Sequence, residues 1–266
     1  STSDRETNFE RKASKYWTRP SYWPPLPTAN ITDNVIYGVM MVGAYGQSAV
    51  IQITTSDAQT YSVDWGDGTT STPASNTLTE HAYTYASLPT TYMDSIGNKY
   101  VLVAITPGAT ANTFTTVHLE YRSASSAGNP DTGWCDLLCA GSGATWNISN
   151  SSYATNASQM RLERVQILSY STLNLSPTSF AYNAVPALRV AYVHTGESTS
   201  KTGATMFAYL PALEYAHLDG NTTFISLQAM FQSCSSLKEI YWGRTTLANG
   251  LSTWGVYRGD CINPDF

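Results

Sequence analysis

The four histidines, His81, His118, His194 and His217, are where metal or acid–base chemistry would be sought first in this 266-residue chain. Such chemistry needs them paired with each other or with carboxylates, as in two histidines one helical turn apart beside a glutamate. Here they stand far apart with no such pairing. His118 and His217 fall between the apolar positions of β-prone runs, which turns them towards solvent. A nucleophile elbow would read Gly-x-Ser-x-Gly between a strand and a helix. The chain has none, and Gly141-Ser142-Gly143 is a lone turn rather than a phosphate cradle. Asp64 and Asp67 are close, but glycoside chemistry needs two acids about 5–9.5 Å apart across a cleft. Both belong to one turn. With Thr69 they offer oxygen ligands for weak calcium binding at most. Arg258-Gly259-Asp260 spells an integrin-binding triplet, but three residues carry almost no specificity and an exposed polar turn explains them. The expectation is a non-enzymatic chain with no catalytic residue, cofactor or resident metal.

Composition points the same way. Charged residues are 12% of the chain, against about 25% in an ordinary soluble domain. Ser, Thr, Asn and Tyr take their place, giving a surface of hydroxyls and amides. The net charge is -5 and the lysines are scattered, so no basic stripe offers a nucleic-acid footprint. No apolar run approaches the ~20 residues of a membrane helix, and the N-terminus has no signal-like apolar core. Cys135, Cys139, Cys234 and Cys261 are read as free thiols, with a Cys135–Cys139 bridge as a minority alternative. Six Asn-x-Ser/Thr sequons, Asn147, Asn150 and Asn156 among them, arise readily in so Ser/Thr-rich a chain.

The elements that would position any site divide the chain into four parts. Residues 1–34 form an arm. Asp4 to Lys15 is a charged run suited to a short helix capped by Ser3. Tyr16, Trp17, Arg19, Pro20, Tyr22, Trp23, Pro24 and Leu26 follow, in a segment whose prolines impose an extended path. Its rings must bury against something: either the chain's own sheet or, as the favoured expectation, a neighbouring subunit. Residues 35–108 show five short β-prone runs (35–42, 49–54, 61–65, 80–85, 100–105) separated by turns, as in an antiparallel sandwich. Tyr61, Val63 and Trp65 share one face and Ser62 and Asp64 the other. Asp64-Trp65-Gly66-Asp67-Gly68 is a tight structural turn.

Residues 109–250 carry a period. Leu162-x-x-Val165-x-Ile167, Leu188-x-x-Ala191-x-Val193, Leu213-x-x-Ala216-x-Leu218 and Leu237-x-x-Ile240-x-Trp242 place their leading leucines 26, 25 and 24 residues apart. That spacing suits a leucine-rich repeat, in which stacked coils share one core. Phe180-Ala181-Tyr182, Phe207-Ala208-Tyr209 and Phe231 would fill the opposite wall. An earlier unit is expected at Phe114-x-x-Val117-x-Leu119, with a degenerate one near Leu138. Residues 251–266 form a tail in which Trp254, Val256 and Tyr257 are expected to cap the last coil. Tyr192, Tyr215 and Tyr241, on the outward ladder face, are candidate ligand residues, with lateral contact to another subunit as the alternative.

Three resemblances sharpen these expectations. Trp65, Gly66, Asp67, Gly68, His81, Tyr83 and Tyr100 match the polycystic-kidney-disease (PKD) domain pattern, which implies an immunoglobulin-like sandwich in an adhesion or spacer role. The stretch between Tyr85 and Lys99 is longer than that pattern. Met230, Phe231, Cys234, Leu237 and Ile240 resemble the BspA-like leucine-rich repeats of bacterial surface antigens, in which Cys234 would be a core residue. The leader Trp17, Arg19, Pro20, Ser21, Trp23, Leu26 and Pro27, followed by Val-Asp-Trp-Gly-Asp-Gly and repeats, resembles tailed-bacteriophage virion proteins. This implies a fibre, adaptor or capsid-decoration protein, assembled in the host cytoplasm. Its partners would be other virion proteins and copies of itself, with no membrane insertion. The alternative is an extracellular adhesin module binding a cell-surface glycan or protein.

Overall fold

The computed structural model describes residues 2–108, 112–119, 132–141, 143–148, 161–175, 185–194, 200–220, 223–243 and 246–247. The chain is mainly β. Helix α1 (Thr2–Ala13) precedes strands β1 (Val35–Val42), β2 (Gln47–Thr55), β3 (Tyr61–Asp64), β4 (Thr70–Ser71), β5 (Thr79–Tyr83) and β6 (Lys99–Pro107). All pairings among these six strands are antiparallel: Val39 of β1 lies opposite Leu102 of β6, Val63 of β3 opposite Ile105, and Ala49 of β2 opposite His81 of β5. The sequence Val-Ile-Tyr-Gly-Val-Met-Met-Val of β1 is apolar without alternation, and its two faces serve different purposes. Ile36, Met40 and Val42 enter the main core, while Val39 and Met41 join a second buried cluster on the far side of the sheet. Continuous apolar runs are what strands buried on both faces require. Tyr61, Val63 and Trp65 are buried while Asp64 is exposed, so β3 keeps the expected alternation.

The second half stacks coils. Its strands are β7 (Phe114–His118), β8 (Trp134–Ala140), β9 (Thr145–Asn147), β10 (Arg164–Ile167), β11 (Thr172–Asn174), β12 (Val190–His194), β13 (Ser200–Thr202), β14 (Tyr215–Asp219), β15 (Thr223–Ser226), β16 (Glu239–Trp242) and β17 (Thr246–Leu247). β8, β10, β12, β14 and β16 pair in parallel, and the expected inward positions stack in register. Leu137, Val165, Ala191, Ala216 and Ile240 form one column; Cys139, Ile167, Val193, Leu218 and Trp242 form the next. The leading residues Leu162, Leu188, Leu213 and Leu237 are all buried. On the opposite wall Phe207 and Phe231 stack at 5.1 Å with 2° between their planes. The buried Cys234 thiol donates to the Phe207 carbonyl at 2.9 Å. Phe180-Ala181-Tyr182 and the expected cap of Trp254, Val256 and Tyr257 lie outside the described residues.

Two expectations are corrected. The unit expected at Phe114 does not open the ladder: β7 lies in the opposite sheet, antiparallel to β2 (Ile53 opposite Val117) and parallel to β9. The degenerate unit is instead the first ladder strand, β8, with Trp134 standing where the other coils have leucine. Leu137 and Cys139 face inward there, and Leu138 faces away, towards the second cluster.

The boundary read at residue 108 falls inside continuous sheets. β8 pairs antiparallel with β1, Gly38 opposite Leu137. This gives a nine-stranded sheet in the order β16-β14-β12-β10-β8-β1-β6-β3-β4 and a five-stranded sheet in the order β11-β9-β7-β2-β5. One buried cluster runs from Ile36 to Leu237. The first coil therefore covers the β1 edge that the antiparallel strands alone would expose, removing a site for unwanted strand pairing.

Candidate functional site

The outer face of the nine-stranded sheet is the most elaborated surface of the chain, and the arm lies across it. α1 ends where Ser14, Tyr16 and Trp17 fold back with backbone bonds to Glu10 and Ala13, and Pro20 prevents its resumption. Phe9 sits 5.3 Å from the Tyr192 ring and 6.1 Å from Tyr215, with its edge on His217. Tyr16 stacks on Tyr215 at 5.7 Å. Trp17 and Trp23 pack together, and Trp23 and Tyr22 reach Tyr100 on β6. The arm thus spans from the last described coil to the antiparallel strand β6. Phe9, Ala13, Trp17 and Trp23 are buried in a cluster with Val39, Leu138, Val190, Tyr192 and Tyr215. Pro24 is buried too, Leu26 is half-buried, and Pro20 is half-exposed beside the turn to Trp23.

Acidic sockets fix the register of the arm. Glu239 accepts from Tyr16 at 2.7 Å and from Lys12 at 3.1 Å. Glu163 accepts from the Trp17 indole at 2.7 Å. Asp136, fully buried, accepts from Arg19 Nε at 2.8 Å and from Arg164 Nε and Nη2 at 2.8 Å each. Arg164 in turn reaches Glu10 at 2.5 Å. Burial works to raise the Glu239 carboxyl, but the Tyr16 and Lys12 hydrogen bonds outweigh it and hold the pKa below the usual range. Burial first, and then the Glu239 contact, pushes the Tyr16 hydroxyl up to about 12. One rung away Glu214 bridges Arg189 and Lys238. This ladder of ion pairs runs along the coils beside the arm.

The sequence reading placed the arm on a neighbouring subunit by preference. The rings of Tyr16, Trp17 and Trp23 and the guanidinium of Arg19 instead find their partners in their own chain, because the ladder offers a matching aromatic and acidic surface. The candidate ligand face is corrected for the same reason. Tyr192, Tyr215 and Tyr241 do project away from the solenoid core. But Tyr192 is 3% and Tyr215 0% exposed beneath Phe9 and Tyr16, and Tyr241 is half-buried under Lys12. His217, expected on the surface, is buried among Tyr192, Tyr241 and Phe9 and shares a hydrogen bond of 2.9 Å with the Tyr215 hydroxyl. His194 is buried as well.

The Asp64–Gly68 turn is formed as a structural unit. Asp64 accepts the Gly66 N–H at 2.9 Å, and Asp67 accepts the Thr69 N–H and hydroxyl at 3.0 and 2.6 Å. The other Asp67 oxygen is 2.8 Å from His81 Nε2, and that ring stacks on Trp65 at 4.7 Å. Tyr83 donates to the Trp65 carbonyl at 3.0 Å. Both Asp67 oxygens are thus engaged, one by Thr69 and the other by His81 of β5. Among the described residues no three His, Cys, Asp or Glu side chains converge as a metal site. Cys135, Cys139 and Cys234 are buried free thiols, which replaces the minority Cys135–Cys139 bridge. The RGD triplet at 258–260 and Cys261 lie outside the described residues.

The sockets Asp136, Glu163, Arg164 and Glu239 escaped the sequence reading. The available signal was one acid inside the apolar run Trp-Cys-Asp-Leu-Leu-Cys-Ala, at a position that β-alternation turns away from the core.

The fold and the covered face define a mainly β protein with stacked, solenoid-like coils closed by an N-terminal strap. Comparison with family models, with curated proteins and with solved structures finds no match. Among the described residues no helix is long and apolar enough to cross a membrane.

Proposed function

We propose that this chain is a non-enzymatic structural component of a tailed-bacteriophage virion, of the decoration, fibre or adaptor type. The observation that carries this reading is the sheet that runs unbroken from the N-terminal antiparallel strands through the last described coil. One core beneath it and one strap above tie its two halves together, which suits a projecting spacer. The leader, the Trp-Gly-Asp-Gly turn within a PKD-like sandwich and the leucine-rich-repeat-like coils supply the resemblance. With its inner side committed to the chain's own sheet, the arm docks through its outer side, where Arg11, Lys15 and Tyr22 are exposed.

The test is mass spectrometry with cross-linking on density-purified particles from the source culture. The reading expects the chain at stoichiometric copy number, with Lys15 linked to a head or tail protein. Absence from particles, with the chain free or on cell surfaces, contradicts it. A second reading, an adhesin module contacting a cell-surface glycan, is favoured by the polar face described next.

A further inference from the structure

The arm covers one sheet, and the outer face of the five-stranded sheet carries a different pattern. Ile53, Val117, Trp146 and Leu173 turn inward and are buried. Their neighbours in sequence therefore turn outward. The registers align Thr54, Thr116, Thr145 and Thr172 across β2, β7, β9 and β11, and Gln52, His118, Asn147 and Asn174 beside them. Successive rungs are about 4.8 Å apart, as in any sheet. The two columns form a flat grid of hydroxyls and amides in which His118 is the one ionisable member. Hydrogen bonds order the grid: within it Asn174 Nδ2 donates to Asn147 Oδ1 at 2.6 Å, and at its edge Gln52 Nε2 donates to Asn76 Oδ1 at 2.9 Å. Thr172 is exposed, and Gln52, Thr54, Thr116, His118, Thr145 and Asn174 are partly exposed.

We infer that this grid is a binding face for a neutral polysaccharide chain lying across the strands. Charge complementarity selects the ligand. Phosphate, nucleic acid and acidic peptide need cationic partners, and basic peptides need carboxylates, whereas the members of the grid that reach solvent are hydroxyls, amides and one imidazole, with Asn147 buried beside Asn174. A hydroxyl and an amide both donate and accept, as do the hydroxyls of a sugar. The rung spacing is of the order of one pyranose ring, so consecutive sugars meet consecutive Thr and Asn or Gln pairs. Each hydrogen bond exchanged with water contributes little on its own. Affinity therefore accumulates over several rungs and favours a polymer over a monosaccharide. The buried Val117, Trp146 and Leu173 hold the grid rigid, so little ordering is left to occur on binding. The inference deepens the adhesin reading and is independent of the particle reading.

Affinity gel electrophoresis of the full chain in gels containing dextran, mannan, xylan or mixed-linkage β-glucan tests it, with polyglutamate as an anionic control. The result expected is retardation by at least one neutral polymer. The Thr145→Lys/Thr172→Lys variant should weaken that binding by about tenfold or more with its melting temperature unchanged. Should that variant fail to fold, Thr145→Val/Thr172→Val keeps the β-branched shape, removes two hydroxyls and must still weaken binding. No retardation by any neutral polymer, undiminished binding by the folded variants, or retardation by polyglutamate alone would overturn the inference. None of these results bears on whether particles contain the chain, which the copy number decides separately.

Discussion

Asp136 on β8 holds Arg19 of the arm and Arg164 of the next coil at once, with Nε 2.8 Å from its carboxylate in both cases. The carboxylate has no solvent exposure. It joins three parts of the chain that the sequence keeps far apart: the strap, the strand that links the antiparallel strands to the stacked coils, and the next coil. Removing one partner of a buried pair leaves a charge without compensation and typically costs about 3–5 kcal/mol. Asp136→Ala should therefore lose stability on that scale in urea unfolding. Arg19→Ala should lose less, because Arg164 remains, but should expose the arm to limited proteolysis near Lys12 and Lys15.

His217 gives a pH dependence with a definite sign. Burial is the main cause of its lowered pKa, about 4 against an ordinary 6.5. The folded state binds fewer protons than the unfolded state between those values, so stability falls as pH is lowered from 6.5 towards 4. The shift corresponds to about 3 kcal/mol. His217→Gln should flatten this window, leaving the loss that begins below about 4.5, the ordinary value from which Glu239 and Glu214 are lowered. A wild-type melting temperature constant between pH 7 and 4.5 would contradict the placement of His217 beneath Phe9.

The two turn glycines should respond unequally to substitution. Gly66 has φ +78°, and an added Cβ would stand 2.2 Å from the Leu102 carbonyl oxygen. Gly68 has φ +90° with nothing within 4 Å of such a Cβ. Gly68→Ala thus incurs only conformational strain, about 1–2 kcal/mol. Gly66→Ala adds a backbone collision and should cost clearly more. Equal melting temperatures for the two variants would show that the hairpin is not packed against β6 as described.

The thiols of Cys135, Cys139 and Cys234 should resist alkylation in the native protein and react on unfolding. Burial pushes the Cys139 thiol well above its ordinary pKa, which suppresses the reactive thiolate. Peptide mapping after iodoacetamide treatment checks each site. Prompt labelling of Cys139 in the folded chain would contradict the continuous core.

Much of the architecture was legible because it follows local patterning. The leucine spacing from Leu162 to Leu237 placed four ladder strands, and the alternation Tyr61–Val63–Trp65 placed β3. What was not legible depends on contacts between distant segments. Phe114-x-x-Val117-x-Leu119 has the repeat spelling, yet β2 supplies its antiparallel neighbour and draws it into the other sheet. Trp134 fills the first leucine position, so the opening ladder strand carried no repeat signature. Outward-facing Tyr192 and Tyr215 looked like a surface, because alternation shows which way a side chain points and not what lies over it. The arm that covers them is almost two hundred residues away in sequence. The Thr and Asn grid went unread because Thr116, Thr145 and Thr172 become neighbours only once the coils are stacked.

The strap's closure on its own sheet is the central structural claim, and the pair of Lys12 and Glu239, 3.1 Å apart, reports it directly. Equal amounts of unlabelled and nitrogen-15-labelled chain, mixed after unfolding and refolded together, can be treated with a zero-length carbodiimide cross-linker. The account predicts Lys12–Glu239 cross-linked peptides whose two halves carry the same isotope. Peptides with mixed isotopes in equal proportion would show that the arm closes on another copy, and the absence of the cross-link would show that it does not close there at all.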